Sequence, residues 1–261
     1  MNTTCERIAL GAVLVAILAC LLWYMAENPA PGVAPVPSGE NATTTSKTVA
    51  DHADYYLIDA IYPASTPLLV TAGAEADAHA AKVMETWVLA AEAEFKNQNR
   101  LGNLTEEDIK LQELGPDKKY AQDIEYAAYA SPRTLSYVFS IYEDTLGAHP
   151  NSYYRTFTFD STTGKALQLG DLFMRSAPYL DALSRASRAF LYAALGEYAL
   201  PDFVDTGTSP DDAGNFQFFA LDGTDLLIFF PPYAVGPYAI GPQTVRLPRS
   251  DFADILKPEY Q

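Results

Sequence analysis

Three regimes of hydrophobic and polar positions follow one another along the chain. Ile8 to Met25, IALGAVLVAILACLLWYM, is 18 residues without a charge. At about 1.5 Å per residue it is long enough nearly to cross a hydrocarbon core. Residues 26–53 are rich in Pro, Ala, Ser and Thr and hold no aromatic side chain. Such a segment cannot bury enough surface to offset its ordering entropy, which predicts a disordered stalk. From Asp54 the pattern becomes periodic.

DYYLIDAIYP (Asp54 to Pro63) reads as a strand stopped by proline. In Glu75 to Asn99, Ala80, Met84, Trp87, Val88, Ala91 and Phe95 recur at three- and four-residue spacing, which predicts a helix with one apolar face. LTEEDIKLQEL is polar and helix-prone, and IEYAAYA and RTLSYVFSIYED read as strands. In the latter, Leu135, Tyr137, Phe139 and Ile141 alternate with Thr134, Ser136, Val138 and Ser140, which predicts one buried face. SYYRTFTFD is a further strand, and a turn follows at Asp160 to Lys165. A second helix is predicted within SAPYLDALSRASRAFLYAALGEY, with Ser176 as N-cap and Leu180, Leu183, Phe190, Leu191, Ala194 and Leu195 as its stripe. NFQFFALDGTDLLIFF reads as a hairpin about Asp222-Gly223, TVRLP as a last strand and SDFADIL as a short capped helix.

The order of these elements predicts an α+β fold of two small domains, each an antiparallel sheet with one main helix. The expected divisions are a tip at 1–7, a transmembrane anchor at 8–25, the stalk at 26–53, and domains at 54–145 and 146–261.

Three readings fit the N-terminal segment: an uncleaved anchor, a cleaved signal peptide, and a lipoprotein with Cys20 as the lipidated residue. Apolar residues continue past Cys20 and no clean small-residue cleavage site follows, which favours the anchor. Arg7 precedes the apolar run and no further basic residue occurs before Lys47. That asymmetry predicts a single-pass bacterial membrane protein, its N-terminus cytoplasmic and the remainder extracytoplasmic. The cysteines are Cys5 and Cys20, so the folded part has neither a disulfide framework nor a thiolate metal site. A net charge of −16 argues against nucleic acid as a partner.

No catalytic constellation stands out, and no cofactor or metal is implied. The chain lacks a Gly-x-Ser-x-Gly elbow and a phosphate loop. His52, His79 and His149 are isolated from one another, with His52 in the expected stalk and His79 on a helix surface. Glu106/Glu107, Asp211/Asp212 and Asp222/Asp225 fall in polar turns and read as solvated surface. Asp171 stands between Leu169 and Leu172-Phe173, where it either caps a turn or accepts a ligand's hydrogen bond.

FFPPYAVGPYAIGPQTVRLP (Phe229 to Pro248) holds no nucleophile, acid or histidine. Its prolines fix φ, Gly236 and Gly241 permit bends, and Tyr233 and Tyr238 recur five residues apart. Such a loop is either a rigid binding surface or a plug closing the core. Proximity to the apolar strand DLLIFF predicts that Tyr233 is buried and Tyr238 partly exposed.

With Asp160, Thr163-Gly164-Lys165, Leu169, Asp171-Leu172-Phe173, Pro232-Tyr233, Gly236-Pro237-Tyr238 and Gly241, the second half resembles the C-terminal domain of the RsiV/PdaC-like extracytoplasmic family. LGAHPNSY resembles the Gly-Gly-Ala-His turn before that domain, with Leu146 in place of the first glycine. The region from about Asp54 to Asp144 is similar to the companion N-terminal domain, through Tyr62-Pro63 and its helix. The resemblance implies binding of a cell-envelope protein or glycan, since the anti-sigma members of the family bind lysozyme. Only Met1 to Arg7 precede the apolar run, too few for a sigma-binding domain, and the chain is too short to include the deacetylase domain, so neither role is expected to carry over. TFDSTTG is similar to a deacetylase motif, but Ser161 replaces its second Asp and no histidine follows His149. The expected function is therefore non-enzymatic binding or sensing at the envelope. The rival readings are an envelope polysaccharide hydrolase and a purely structural protein. The candidate ligand-contact or structural residues are Tyr233, Gly236, Pro237, Tyr238, Gly241, His149 and Asp171.

Overall fold

The computed structural model describes residues 45–66 and 72–261. A first sheet contains six strands in chain order: β1 (Ser46–His52), β2 (Tyr56–Pro63), β3 (Tyr120–Ala130), β4 (Thr134–Asp144), β5 (Asn151–Asp160) and β6 (Ala166–Leu167). A second contains β7 (Phe219–Asp222), β8 (Asp225–Phe230) and β9 (Gln243–Pro248). The α-helices are α1 (Gly73–Gln98), α2 (Glu106–Gln112), α3 (Tyr179–Leu195) and α4 (Pro201–Gly207). The fold is α+β. The apolar run at 8–25 lies outside the described residues, and no helix among the described residues is long and apolar enough to cross a membrane.

The apolar stripe of α1 covers one face of the first sheet. Ala80, Met84 and Val88 pack on Ala60, Ile124, Tyr137, Phe139 and Ile141, and Trp87 stands edge-on to Phe139 with ring centroids 5.2 Å apart. Because α1 carries the chain across the sheet, β2 and β3 pair in parallel while the other neighbours are antiparallel. The sheet is mixed, not purely antiparallel as expected.

Three further expectations are corrected. Ser46–His52 belongs to the sheet, not to a stalk. All seven of its residues pair with β2, and Lys47 and Asp51 form ion pairs with Glu85 and Lys96 of α1. Main-chain pairing with a hydrophobic neighbour supplies what the polar composition lacks. The expected junction at 145/146 does not divide the sheets, because β5 pairs with β4 along ten positions and stays in the first sheet. Finally, β4 is buried on both faces. Ser136 and Val138 are wholly inaccessible because the second sheet lies over them.

That covering layer joins Ala127, Tyr129, Val138 and Tyr154 to Ala220, Leu227 and Phe229. On the other side of the second sheet, Leu183 and Leu191 of α3 pack with Ile228, Phe230, Val245 and Leu247. Each such fully buried apolar side chain contributes about 1.5–3 kcal/mol. Phe190 of the expected stripe is 37% exposed, and Ser184 and Ser187 lie on the buried face instead. Pro178, not Ser176, is the N-cap, and Ser176 has φ 64°.

A buried carboxylate ties the layers at their end. Asp160 Oδ2 accepts from Arg133 Nε at 2.8 Å and from the Tyr260 hydroxyl at 3.1 Å. Its Oδ1 accepts from the amides of Thr162 and Thr163 at 2.9 and 2.8 Å. Burial alone would raise its pKa, but the Arg133 and threonine donors bring it down from 3.8 to about 2. The folded value lies below the unfolded one. The carboxylate therefore stabilises the fold above pH 3.8, and that contribution is lost as pH falls towards about 2. Asp160→Ala strands the buried Tyr260 hydroxyl and removes the partner of Arg133 and the turn amides, and should lower the unfolding free energy by roughly 3 kcal/mol. Urea titrations should also show the gap between wild type and variant closing over that acid range. A gap independent of pH would contradict the ionised role.

Candidate functional site

Two connections far apart in sequence meet at the surface. The first joins β4 to β5. Asp144 Oδ1 accepts the Leu146 amide at 2.8 Å, and Leu146 takes φ 62°, a left-handed conformation at the position where the resembling turn carries glycine. Its side chain packs beside Leu101, Leu114 and Tyr120, which offsets that cost. The turn delivers His149 to the surface.

The second connection is the Pro/Gly/Tyr loop after β8. Pro231 and Pro232 end the ladder, and the Ala234 amide donates back to Pro231 O at 3.1 Å. Tyr238–Ile240 forms a 3-10 turn, closed by Gly241 at φ 67°. Gln243 Nε2 donates to Ile240 O at 2.8 Å. Val235 and Gly236 are buried under the turn. Gly207, at the end of α4, approaches so closely that a Cβ there would lie 1.9 Å from Ala234 O. The loop is thus braced from beneath by a glycine outside it, which sequence reasoning did not single out.

His149 meets both tyrosines. Its ring stacks on Tyr238 at 4.2 Å and 25°, and its Nε2 is 3.0 Å from the Tyr233 hydroxyl. Nδ1 is 2.8 Å from Pro150 O, a group that only accepts, so Nδ1 carries the proton. In the neutral ring Nε2 then accepts from Tyr233. The Tyr238 hydroxyl donates to the same Pro150 carbonyl at 3.2 Å. Burial, with the Asp144 carboxylate and Tyr238 beside it, raises the pKa of the Tyr142 phenol.

Tyr233 is 50% exposed, contrary to the expected burial. Pro231-Pro232 lift the chain off the sheet before it, so nearness in sequence to DLLIFF does not carry it inwards. Its φ of 71° is left-handed, an outlier for a bulky residue. Such a conformation persists only where the surrounding structure holds it.

His149, Tyr233 and Tyr238 therefore converge, with Gly236, Pro237 and Gly241 shaping the loop. Asp171 stands apart from them. Its carboxylate accepts the Gln168 amide at 3.0 Å and faces Lys165 Nζ at 3.7 Å, while its carbonyl accepts from Lys257 at 2.6 Å. His79 is exposed on α1. His52 lies on β1, its Nε2 2.9 Å from Asp59. Asp222 and Asp225 are clamped by Arg246 at 2.9 and 2.7 Å rather than free in solvent. Among the described residues, no group of three or more His, Cys, Asp or Glu side chains is placed to hold a metal ion.

Residues 170–250, which include this loop, match a family described as a protein of unknown function, DUF3298. The chain is 30% identical over 155 residues to the peptidoglycan-N-acetylmuramic acid deacetylase PdaC of Bacillus subtilis (strain 168), covering 59% of this chain and 32% of that protein. It is 24% identical over 138 residues to an esterase of Mycobacterium tuberculosis (strain ATCC 25618 / H37Rv), covering 51% of this chain and 59% of that one. The chain thus spans between about a third and three-fifths of these relatives' lengths. Solved DUF3298 proteins from Bacteroides fragilis NCTC 9343 and Pseudomonas aeruginosa PAO1 share the fold, both at a TM-score of 0.56. The first is 18% identical and covers 83% of this chain and 95% of its own. The second is 14% identical and covers 84% and 97%.

Tyr233→Gly removes both the ring and the strain. Its stability should equal or exceed that of wild type by up to about 1 kcal/mol, measured by thermal unfolding. A loss above about 2 kcal/mol would mark Tyr233 as a structural plug instead.

Proposed function

We propose that this protein is a non-enzymatic binding or sensing protein of the bacterial envelope, anchored by Ile8 to Met25 with its folded part outside the membrane. Its ligand is a lysozyme-like protein or a peptidoglycan-related glycan. The observation that carries the reading is the exposed His149–Tyr233–Tyr238 cluster, held in place at a backbone cost. Rigid tyrosines supply large contact area with little entropy loss, and their faces and hydroxyls suit both a protein cleft and a sugar ring. The similarity to a peptidoglycan deacetylase supports an envelope setting, and the resemblance to the RsiV/PdaC-like family supports binding over turnover.

Calorimetric titration with lysozyme and with soluble muropeptides tests the reading. One of the two should bind, and Tyr233→Ala and Tyr238→Ala should each weaken it by more than about 1 kcal/mol. Binding that ignores both substitutions, or its absence with both ligands, would remove the cluster as the site.

A hydrolytic reading is favoured by one observation, the similarity to proteins named as a deacetylase and an esterase. The His149–Tyr233 pair is the acid–base contact on which it would draw. On the binding reading, p-nitrophenyl acetate turnover stays at background. Turnover abolished by His149→Ala would reverse the assignment.

The orientation follows from Arg7 ahead of the apolar run. Protease added to intact cells should remove the region from Ser46 onward, whereas complete protection would contradict an external location.

A further inference from the structure

Along most of its outer edge β5 has no neighbouring strand among the described residues. Leu167 and Ala166 of β6 cover only Thr158 and Phe159, and the chain then leaves the sheet for the turn at Leu169–Leu172. The Asp160 amide donates outwards to Lys165 O at 2.9 Å, and the Ser161 amide donates inwards to Arg133 O at 2.8 Å. Alternation along an antiparallel ladder therefore turns the N–H and C=O of Thr156, Tyr154 and Ser152 outwards, beyond the end of β6.

A cleft of about 240 Å³ lies beside this edge. His79 and Val83 of α1 line it, as do Gln217 and Phe218 ahead of β7, and β5 contributes Arg155 and Thr156. Side chains of an extended segment alternate between two faces, as these two walls require. Phe157 faces α1, its ring 5.9 Å from Trp87, and the Thr156 hydroxyl faces the opposite wall, 3.5 Å from Gln217 O.

Arg155 supplies the charge. The chain has 33 acidic and 17 basic residues, and Arg133, Arg188 and Arg246 each pair with aspartate. Arg155 has no carboxylate partner among the described residues. Its guanidinium instead lies 4.9 Å from the Phe157 ring, at the edge of the cleft.

We propose that this cleft takes an extended peptide as an added antiparallel strand, continuing the pairing of β6 past Leu167 and placing an acidic side chain on Arg155. Continuing from the Leu167–Thr158 pair, successive peptide residues face Phe157, Thr156 and Arg155. Residues directly opposite in an antiparallel pair share a face, so the third meets the guanidinium. Main-chain hydrogen bonds to Thr156 and Tyr154 supply the affinity, and Arg155 selects the acid. This site is separate from the aromatic cluster and does not depend on its function.

Selection of phage-displayed random nonapeptides on the immobilised full chain tests the proposal. Enriched peptides should carry Asp or Glu at one fixed position. They should bind Arg155→Glu about tenfold or more weakly, and recover when that acid is changed to Lys. N-methylation of the peptide amides that face β5 should abolish binding to the unaltered protein, and bound peptide should slow hydrogen exchange at the Tyr154 and Thr156 amides. Failure to enrich any peptide would overturn the proposal. So would peptides that bind Arg155→Glu equally well and leave those amides unprotected.

Discussion

Ser136 sits near the start of β4 with its hydroxyl wholly buried, where it accepts from the Thr158 hydroxyl at 3.0 Å and from the Leu221 amide at 3.2 Å. The Leu221 bond ties the two sheets together. Around it Val138, Tyr129 and Tyr154 of the first sheet pack against Ala220, Leu227 and Phe229 of the second. A buried hydroxyl left without partners costs about 1–3 kcal/mol, so this contact holds β7 to a defined position over β4. The rest of the structure depends on that placement. With β7 and β8 laid across β3, β4 and β5, the chain leaving β8 emerges beside the turn that leaves β4. His149 then meets Tyr233 across 84 residues of sequence.

The site itself combines rigidity with exposure. Prolines and the Gly207 contact hold the loop, while Tyr233 takes an unfavourable φ and keeps half its surface in solvent. His149 reads the two tyrosines differently, by stacking with one and by a hydrogen bond with the other.

Several of the chain's carboxylates are engaged in local structure. Asp160 closes the turn after β5, Asp108 completes the capping box of α2 with Thr105, and Asp222 and Asp225 hold Arg246. On the outer face of the first sheet Asp59 lies opposite Asp123, and burial together with Glu125 and Asp59 raises the Asp123 pKa.

Elements with a local periodicity are legible from the order of residues alone. The three- and four-residue spacing from Ala80 to Phe95 is a helix because one stripe must face a core, and the Asp222-Gly223 signal is a hairpin because Gly223 takes φ 55°. The order of residues also singled out the loop residues and His149 as candidates. What lies against what depends on contacts between distant segments. Ser46–His52 is polar enough to read as a stalk, yet it becomes a strand once β2 offers an open edge. The alternation in β4 implies one exposed face, yet a second sheet supplied by residues 85 positions later covers it. Tyr233 follows an apolar strand, yet it points outwards because two prolines turn the chain and His149 waits there. Periodicity records whether a side chain faces something apolar or water. It does not record which distant segment arrives to cover a face, because that contact is made between elements whose separation along the chain leaves no local pattern.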